Sequence, residues 1–373
     1  MHFAEARLPV HGGDLARIAA RYGMDAAELL DFSVNVNPLG APTAVFDYLA
    51  DARVIRRALA SYPDRDASLL KNAVYERYGV PKEAIVVANG SAALLDAALR
   101  ALLPGRCLVP VPAFSEYRRA IDACGHQWSA MPLASENDFR LDLAQTTDAL
   151  HRELPGVLIL TNPHNPSGAL CKKEALIEIV QAAAALACVV LLDEAFIDYA
   201  PEESLVAEAA HMENLVVVRS VTKFYAMPAL RVGYALAAPR LARRIESSLP
   251  SWPTSSVALD AAALAIGDRA FERESIAQNA ELRAKLAHEL RELGIRVLPS
   301  AANFLLLELP APWGARASIC ERLVRSWGIV VRDCGDYEGL AERSFVRVGV
   351  KDRTSNGRLV QAFRSFSTME KSA

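Results

Sequence analysis

The chain has 373 residues, 52% of them hydrophobic and 23% charged, with a net charge of −3 at neutral pH. Those values describe an ordinary globular protein large enough for two domains; they offer no basic footprint for nucleic acid and no apolar run of the ~18 residues that a membrane span needs. Six cysteines (Cys107, Cys124, Cys171, Cys188, Cys320 and Cys334) form no Cys-x-x-Cys pair, and the first ten residues lack the apolar core of a signal peptide. No metal site is therefore expected, and a reducing, cytoplasmic setting is.

In chain order, His11-Gly12-Gly13-Asp14 precedes a helical pattern in Leu15, Ile18 and Ala19, with Asp14 placed to cap it;. The stretch Asp31-Phe32-Ser33-Val34-Asn35-Val36-Asn37-Pro38-Leu39-Gly40 reads as an extended loop;. Its amides are suited either to a ligand or to backbone groups nearby. Helices are expected over 43–59 and 66–78, broken at Ser61-Tyr62-Pro63-Asp64, where Tyr62 by itself reads as a packed aromatic. A strand over 84–87 leads into the turn Asn89-Gly90-Ser91-Ala92-Ala93 and a helix over 94–103. Strand, glycine turn, helix is an arrangement whose free N–H groups bind phosphate, although many such turns only connect elements.

Further apolar runs follow at 107–110, 157–160, 189–192 and 215–218. Continuous apolar strands alternating with helices imply a mainly parallel sheet covered on both faces, with ligands beyond the C-terminal strand ends. Asn89, Asn165, Asp193 and Lys223 all share that address. After Ser251-Trp252-Pro253-Thr254-Ser255-Ser256, which reads as a hinge, one long helix is expected over 257–293. Strands at 296–298, 303–307, 329–332 and 344–350 complete a smaller α/β unit. The expected division is an arm over 1–42, a large domain over 43–255 and a small C-terminal domain over 256–373.

The strand ends suggest a cofactor carrying a ring, a phosphate and an aldehyde. Lys223 is placed to condense with the aldehyde and, once displaced, to act as base or acid at a substrate Cα. Asp193 would pair with a ring nitrogen, Asn165 donate to a ring oxygen, and Phe114 stack on the ring. Asn89, Gly90, Ser91, Ala92, Ser220, Thr222 and Arg231, the last eight residues past the lysine, would bind the phosphate. Each has an ordinary alternative: a helix cap for Asp193, a core position for Phe114, a structural ion pair for Arg231.

On Asn162-Pro163-His164-Asn165-Pro166-Ser167-Gly168, Asp193-Glu194-Ala195-Phe196, Ser220-Val221-Thr222-Lys223 and Arg231-Val232-Gly233-Tyr234, the chain resembles pyridoxal-phosphate enzymes of fold type I, in the class I/II aminotransferase group. The resemblance implies pyridoxal 5′-phosphate as cofactor and a homodimer in which Tyr62 reaches the neighbouring subunit's cofactor phosphate. It also implies Arg347 as the carboxylate ligand, and Phe196 beside the ring oxygen where many aminotransferases have Tyr. Within the group, His11-Gly12-Gly13, the 31–40 loop, Thr222-Lys223-Phe224-Tyr225-Ala226-Met227-Pro228 and Cys334-Gly335-Asp336-Tyr337-Glu338-Gly339-Leu340 resemble threonine-phosphate decarboxylases of the cobalamin pathway. Histidinol-phosphate aminotransferases are the neighbouring group. The decarboxylase resemblance implies a phosphorylated amino acid as substrate, held by His11, Gly12, Asn35, Asn165, Arg332 and Arg347, with Arg332 and the His11 segment at its phosphate. Two departures stand out: Ser91-Ala92-Ala93 replaces the Glu-Thr-Glu of the decarboxylase turn, and Ala229 replaces a Gly before Leu230-Arg231.

Overall fold

Strands in which every residue is apolar need cover on both faces, and the main sheet has it. The computed structural model describes residues 12–369. Its N-terminal arm contains α1 (Leu15–Tyr22) and β1 (Leu30–Asp31). The large lobe then runs through α2 (Thr43–Ala50), α3 (Ala52–Leu59), α4 (Ser68–Tyr78), β2 (Ile85–Ala88), α5 (Gly90–Ala101), β3 (Arg106–Val111), α6 (Ser115–Ala123) and β4 (Gln127–Pro132). It continues with α7 (Leu143–Glu153), β5 (Val157–Thr161), α8 (Lys173–Ala185), β6 (Val189–Asp193), α9 (Val206–Ala209), β7 (Leu215–Ser220), β8 (Gly233–Ala237) and α10 (Pro239–Glu246). The remaining elements are α11 (Ser256–Gly267), α12 (Arg269–Glu292), β9 (Arg296–Val297), β10 (Phe304–Glu308), α13 (Arg316–Trp327), β11 (Ile329–Val330), β12 (Arg332–Asp333), β13 (Phe345–Gly349) and α14 (Arg353–Met369).

The seven-stranded sheet has the order β2-β8-β7-β6-β5-β3-β4, and only β8 runs antiparallel to its neighbours. Successive residues of each strand enter different cores, as the two-residue period of a strand requires. Val157, Ile159, Leu191, Val216 and Val218 face one helical layer, while Leu158, Leu160, Leu192, Leu215 and Val217 face the other. Each such side chain contributes about 1.5–3 kcal/mol on burial, which commits these runs to the interior. All the parallel strands therefore end at one rim, with Asp193 the last residue of β6 and Asn89 and Val221 just beyond β2 and β7.

The expected architecture is the observed one: a fold type I α/β protein with a mainly parallel large sheet and a smaller C-terminal sheet of order β12-β13-β10-β9. In the small sheet, Leu305, Leu307, Val346 and Val348 fill the small lobe's own core, so Phe304, Leu306, Phe345 and Arg347 take the opposite face;. Leu306 and Phe345 join the large lobe's core there. That alternation aims Arg347 at the rim.

Several boundaries differ from the sequence reading. The 43–59 helix is two helices, because Asp51 accepts from the Arg53 N–H and starts a new one; Asp268 does the same for α12 by accepting from Ala270 and Phe271. Helix α11 packs on α4 and α2, so the first helix after the 251–255 linker lies with the large lobe. The helix after β2 begins at Gly90 rather than 94. Strands β4 and β8 were not anticipated.

Candidate active site

Strand β8 builds the first wall. Gly233 pairs with Ala88 of β2 on one side and Ser220 of β7 on the other. It lies so close to α5 that a Cβ there would sit 2.9 Å from the Ser91 nitrogen. Gly90, at the start of α5, has φ +80°, and a Cβ on it would sit 2.9 Å from Arg231 Nη2. Asn89 makes no side-chain capping bond, which leaves the first-turn N–H groups of α5 facing this wall;. Ser220 Oγ and Thr222 Oγ1 lie 2.8 Å apart at the end of β7. Backbone N–H groups, two hydroxyls and a guanidinium therefore converge, a donor set suited to a phosphate.

The second wall is a small cleft lined by Ser91, Ala92, Phe114, Glu116, Tyr117 and Asp193, among others. Asp193 Oδ1 accepts from the Ala195 N–H at 3.0 Å and Oδ2 accepts from the Tyr117 hydroxyl at 2.7 Å. Burial raises the Asp193 pKa, and those two bonds oppose the rise. Phe114 stands edge-on to Tyr117, with ring centroids 5.7 Å apart.

Lys223 follows at the end of β7. Burial pushes its amine down to about 8, and the positive charges of Arg347, Arg231 and Lys351 push the same way, while Asp31 opposes them. About a tenth of such an amine is neutral at pH 7, against well under a thousandth for an ordinary lysine. Beyond it, Arg347 Nη1 donates to Asn165 Oδ1 at 2.6 Å and Nη2 to the Ser33 carbonyl at 3.1 Å. The Arg347 guanidinium carbon lies 5.3 Å from the Phe304 ring centre, and Phe304 meets Phe196 edge-on at 5.0 Å. Arg332 is the direct cross-strand partner of Arg347. It donates to the Asp333 carbonyl at 2.5 Å and to Asp336 Oδ2 at 2.7 Å.

The N-terminal arm closes on the same region. The Gly13 N–H donates to Ser33 Oγ at 3.1 Å, and a Cβ on Gly12 would strike the Ser33 carbonyl. Asn35 is buried; its carbonyl accepts from Asn303 Nδ2 at 3.0 Å, while its Oδ1 makes no hydrogen bond among the described residues. His11 lies outside the described residues. Tyr62 stands at the surface, 79% exposed, with its ring 4.7 Å from that of Trp252.

The sequence profile of the family described as aminotransferase class I and II matches residues 27–363. The chain belongs to this family. It is 32% identical to the threonine-phosphate decarboxylase of Salmonella typhimurium over 366 residues, covering 96% of each chain. It is 31% identical to histidinol-phosphate aminotransferase 2 of Ralstonia nicotianae, over 93% of this chain and 91% of that one. The fold is similar to the crystal structure of histidinol-phosphate aminotransferase from Sinorhizobium meliloti in complex with pyridoxal-5′-phosphate, with a TM-score of 0.86, 22% identity and coverage of 97% and 96%.

The cofactor of this aminotransferase-family chain is pyridoxal 5′-phosphate. The residues fit it: a donor-lined cradle that a Cβ at Gly90 would fill, a buried carboxylate 2.7 Å from a tyrosine hydroxyl, and a lysine of lowered pKa. Among the described residues no group of His, Cys, Asp and Glu is suited to a metal ion. Gly90→Ala is expected to weaken cofactor binding by roughly tenfold to a hundredfold, because the methyl group meets Arg231 and the left-handed backbone is strained by about 1–3 kcal/mol. Titration of cofactor-free protein with pyridoxal phosphate checks this, and an unchanged affinity would contradict the cradle.

Three supports were missed in the sequence. Tyr117 reads as a helix aromatic, yet its hydroxyl lies 2.6 Å from Thr161 Oγ1 as well as holding Asp193. Asn37 donates its backbone N–H to the Lys223 carbonyl at 3.0 Å and its side-chain amide to the Phe224 carbonyl and Ser275 Oγ, both at 2.9 Å. It ties the arm, the lysine loop and α12 together. Arg219 donates to Glu194 at 3.2 Å and to Asp198 at 2.5 Å, joining the strands that carry Ser220 and Asp193. The only local signal was an arginine inside an otherwise apolar strand, which must find a buried acid.

Proposed function

We propose that the chain is a pyridoxal-phosphate-dependent lyase that converts O-phospho-L-threonine to CO2 and (R)-1-aminopropan-2-yl phosphate, in cobalamin biosynthesis. The observation that carries this reading is the pair Arg332 and Arg347, buried and directly opposite on β12 and β13. Two guanidinium groups on one face suit one small substrate bearing two anions. Arg347 Nε and Asn35 Oδ1, both buried and without a hydrogen-bond partner among the described residues, support a polar ligand there;.

When bound, the cofactor supplies an aldehyde for the substrate amine and a ring that withdraws electrons from Cα. Asp193 would pair with its ring nitrogen, Asn165 and Phe196 would sit beside its phenolic oxygen, and Phe114 would cover a ring face. Asn89, Gly90, Ser91, Ala92, Ser220, Thr222 and Arg231 hold the cofactor phosphate. Arg347 takes the substrate carboxylate, and Arg332, with the Gly12 segment and His11, takes its phosphate. By anchoring the phosphate, Arg332 would orient the substrate so that the Cα–carboxylate bond is the one that breaks; CO2 would leave without the bonding electron pair, which the bound cofactor would accept, and the Lys223 ammonium would deliver a proton to Cα. Catalytic roles thus fall to Lys223 and Asp193.

A second copy fits the same reading. Phe46, Leu59, Tyr62, Leu69 and Trp252 are exposed large apolar side chains on α2, α3, α4 and the adjoining loops, a surface suited to a homodimer;. Tyr62 would then serve the partner's cofactor phosphate. The substrate is a soluble phosphorylated amino acid and the setting cytoplasmic, with no nucleic acid or membrane partner; no helix among the described residues is long and apolar enough to cross a membrane.

The alternative is an aminotransferase acting on histidinol phosphate or a related phosphorylated amine, favoured by the 31% identity over most of both chains with the Ralstonia nicotianae protein. Here the Cα–H bond would be the one aligned for cleavage instead, a rotation of roughly 60–120° about one bond. The test is incubation of the holoenzyme with O-phospho-L-threonine in the absence of a keto acid. Sustained CO2 release is expected. No CO2, with conversion of the cofactor to its amine form by histidinol phosphate, would establish the aminotransferase.

A further inference from the structure

We propose that Asp336 is a built-in competitor for Arg332, a carboxylate that the substrate's phosphate has to displace and that thereby keeps weakly held anions off the site. The proposal rests on the reading that Arg332 binds the substrate phosphate. Arg332 and Arg347 are like charges directly opposite one another, an arrangement that is unfavourable unless each is compensated;. The compensation is unequal. Arg347 donates to neutral acceptors, the Asn165 amide oxygen and the Ser33 carbonyl. Arg332 has a carboxylate at 2.7 Å, and its guanidinium carbon lies 5.0 Å from the Tyr337 ring centre.

The two halves of that ion pair differ in freedom. The Arg332 side chain is 7% exposed and fixed by Asp333 and Tyr337, whereas that of Asp336 is 35% exposed. The guanidinium therefore stays and the carboxylate can swing into water. Its turn survives the loss, because the backbone from 334 to 340 is held by other bonds. Cys334 N–H donates to Phe345, Tyr337 N–H to Cys334, Leu340 N–H to Tyr337, and Gly335 N–H to Asp333 Oδ1 at 2.8 Å.

Exchange at such a site is a comparison of anions. A phosphate monoester carries close to two charges at neutral pH and offers three strong acceptor oxygens. It outbids a single carboxylate for the fork of donors on a guanidinium. Asp336 thus lowers the affinity of every anion at Arg332 by the same factor, which leaves a phosphate monoester bound and drops a weakly held monoanion out of the working range.

The test is calorimetric titration of the holoenzyme with inorganic phosphate and with formate, for the wild type, Asp336→Asn, Asp336→Glu and Arg332→Gln. Asp336→Asn is expected to tighten phosphate and formate alike, by roughly three- to tenfold. Asp336→Glu, which keeps the charge, is expected to keep the wild-type affinities. If Arg332→Gln abolishes phosphate binding while Asp336→Asn weakens it or leaves it unchanged, Asp336 merely orients Arg332 and the proposal is overturned. If Arg332→Gln leaves phosphate binding intact, the assignment of Arg332 to the phosphate fails and the proposal falls with it.

Discussion

Lys223→Met is expected to abolish turnover, by a factor of at least about 10⁴, and to make the cofactor-free protein more stable at neutral pH. The loss of activity follows from removing the amine. The gain in stability follows from its environment, since the folded state holds Lys223 near a pKa of about 8, below the ordinary 10.5 of the unfolded chain. A lowered pKa on a lysine means that folding disfavours its charged form. That cost is present in full below pH 8 and disappears as the pH rises from 8 to 10.5, where the folded state has already released its proton. The methionine variant should therefore lead by roughly 2–3 kcal/mol at pH 7 and by much less at pH 10.5. Urea unfolding at the two pH values measures it. An equal difference at both would show that the amine is not desolvated.

Arg219→Met is the substitution expected to damage the fold most. It leaves Glu194, 0% exposed, and Asp198, 2% exposed, without the cation that both share. Removing one partner of a buried ion cluster costs about 3–5 kcal/mol, because the remaining charges keep their desolvation penalty. The damage reaches the active site through the chain itself, since Glu194 follows Asp193 and Arg219 precedes Ser220. Replacing all three together, as Arg219→Met with Glu194→Gln and Asp198→Asn, should recover much of the stability. A single variant that costs under about 1 kcal/mol would mean that water reaches the cluster.

The positions of Lys223 and Asp193 were legible because four-residue apolar runs announce buried parallel strands, and strand ends are where such folds place ligands. Gly90 was legible for the same reason. Strand β8 was not: Gly233-Tyr234-Ala235-Leu236-Ala237 is short, rich in small residues and follows an arginine in the left-handed region, with φ +53°. Its insertion between β2 and β7 is a long-range event, and it is what presses Gly233 against Ser91. Tyr117 and Asn37 were hidden differently. A helix tyrosine and a loop asparagine have common structural uses, and Asn37 does satisfy backbone carbonyls, as such residues usually do. The carbonyls happen to be those of Lys223 and Phe224. The two aspartates that split expected helices, Asp51 and Asp268, carried a readable capping signal that the helical periodicity around them obscured.

The pairing of Arg332 with Arg347 across β12 and β13 also fixes a length. Opposite residues on antiparallel strands are held about 4.5–5.5 Å apart at Cα, and the hydrogen-bonded ladder allows neither to shift alone. If these two arginines take the substrate's two anions, as proposed, they form a ruler carried on the small sheet, while the proposed cofactor cradle belongs to the large one. A ligand would then be gauged by the spacing between its own two charges, so that adding a single methylene between them would misplace one end.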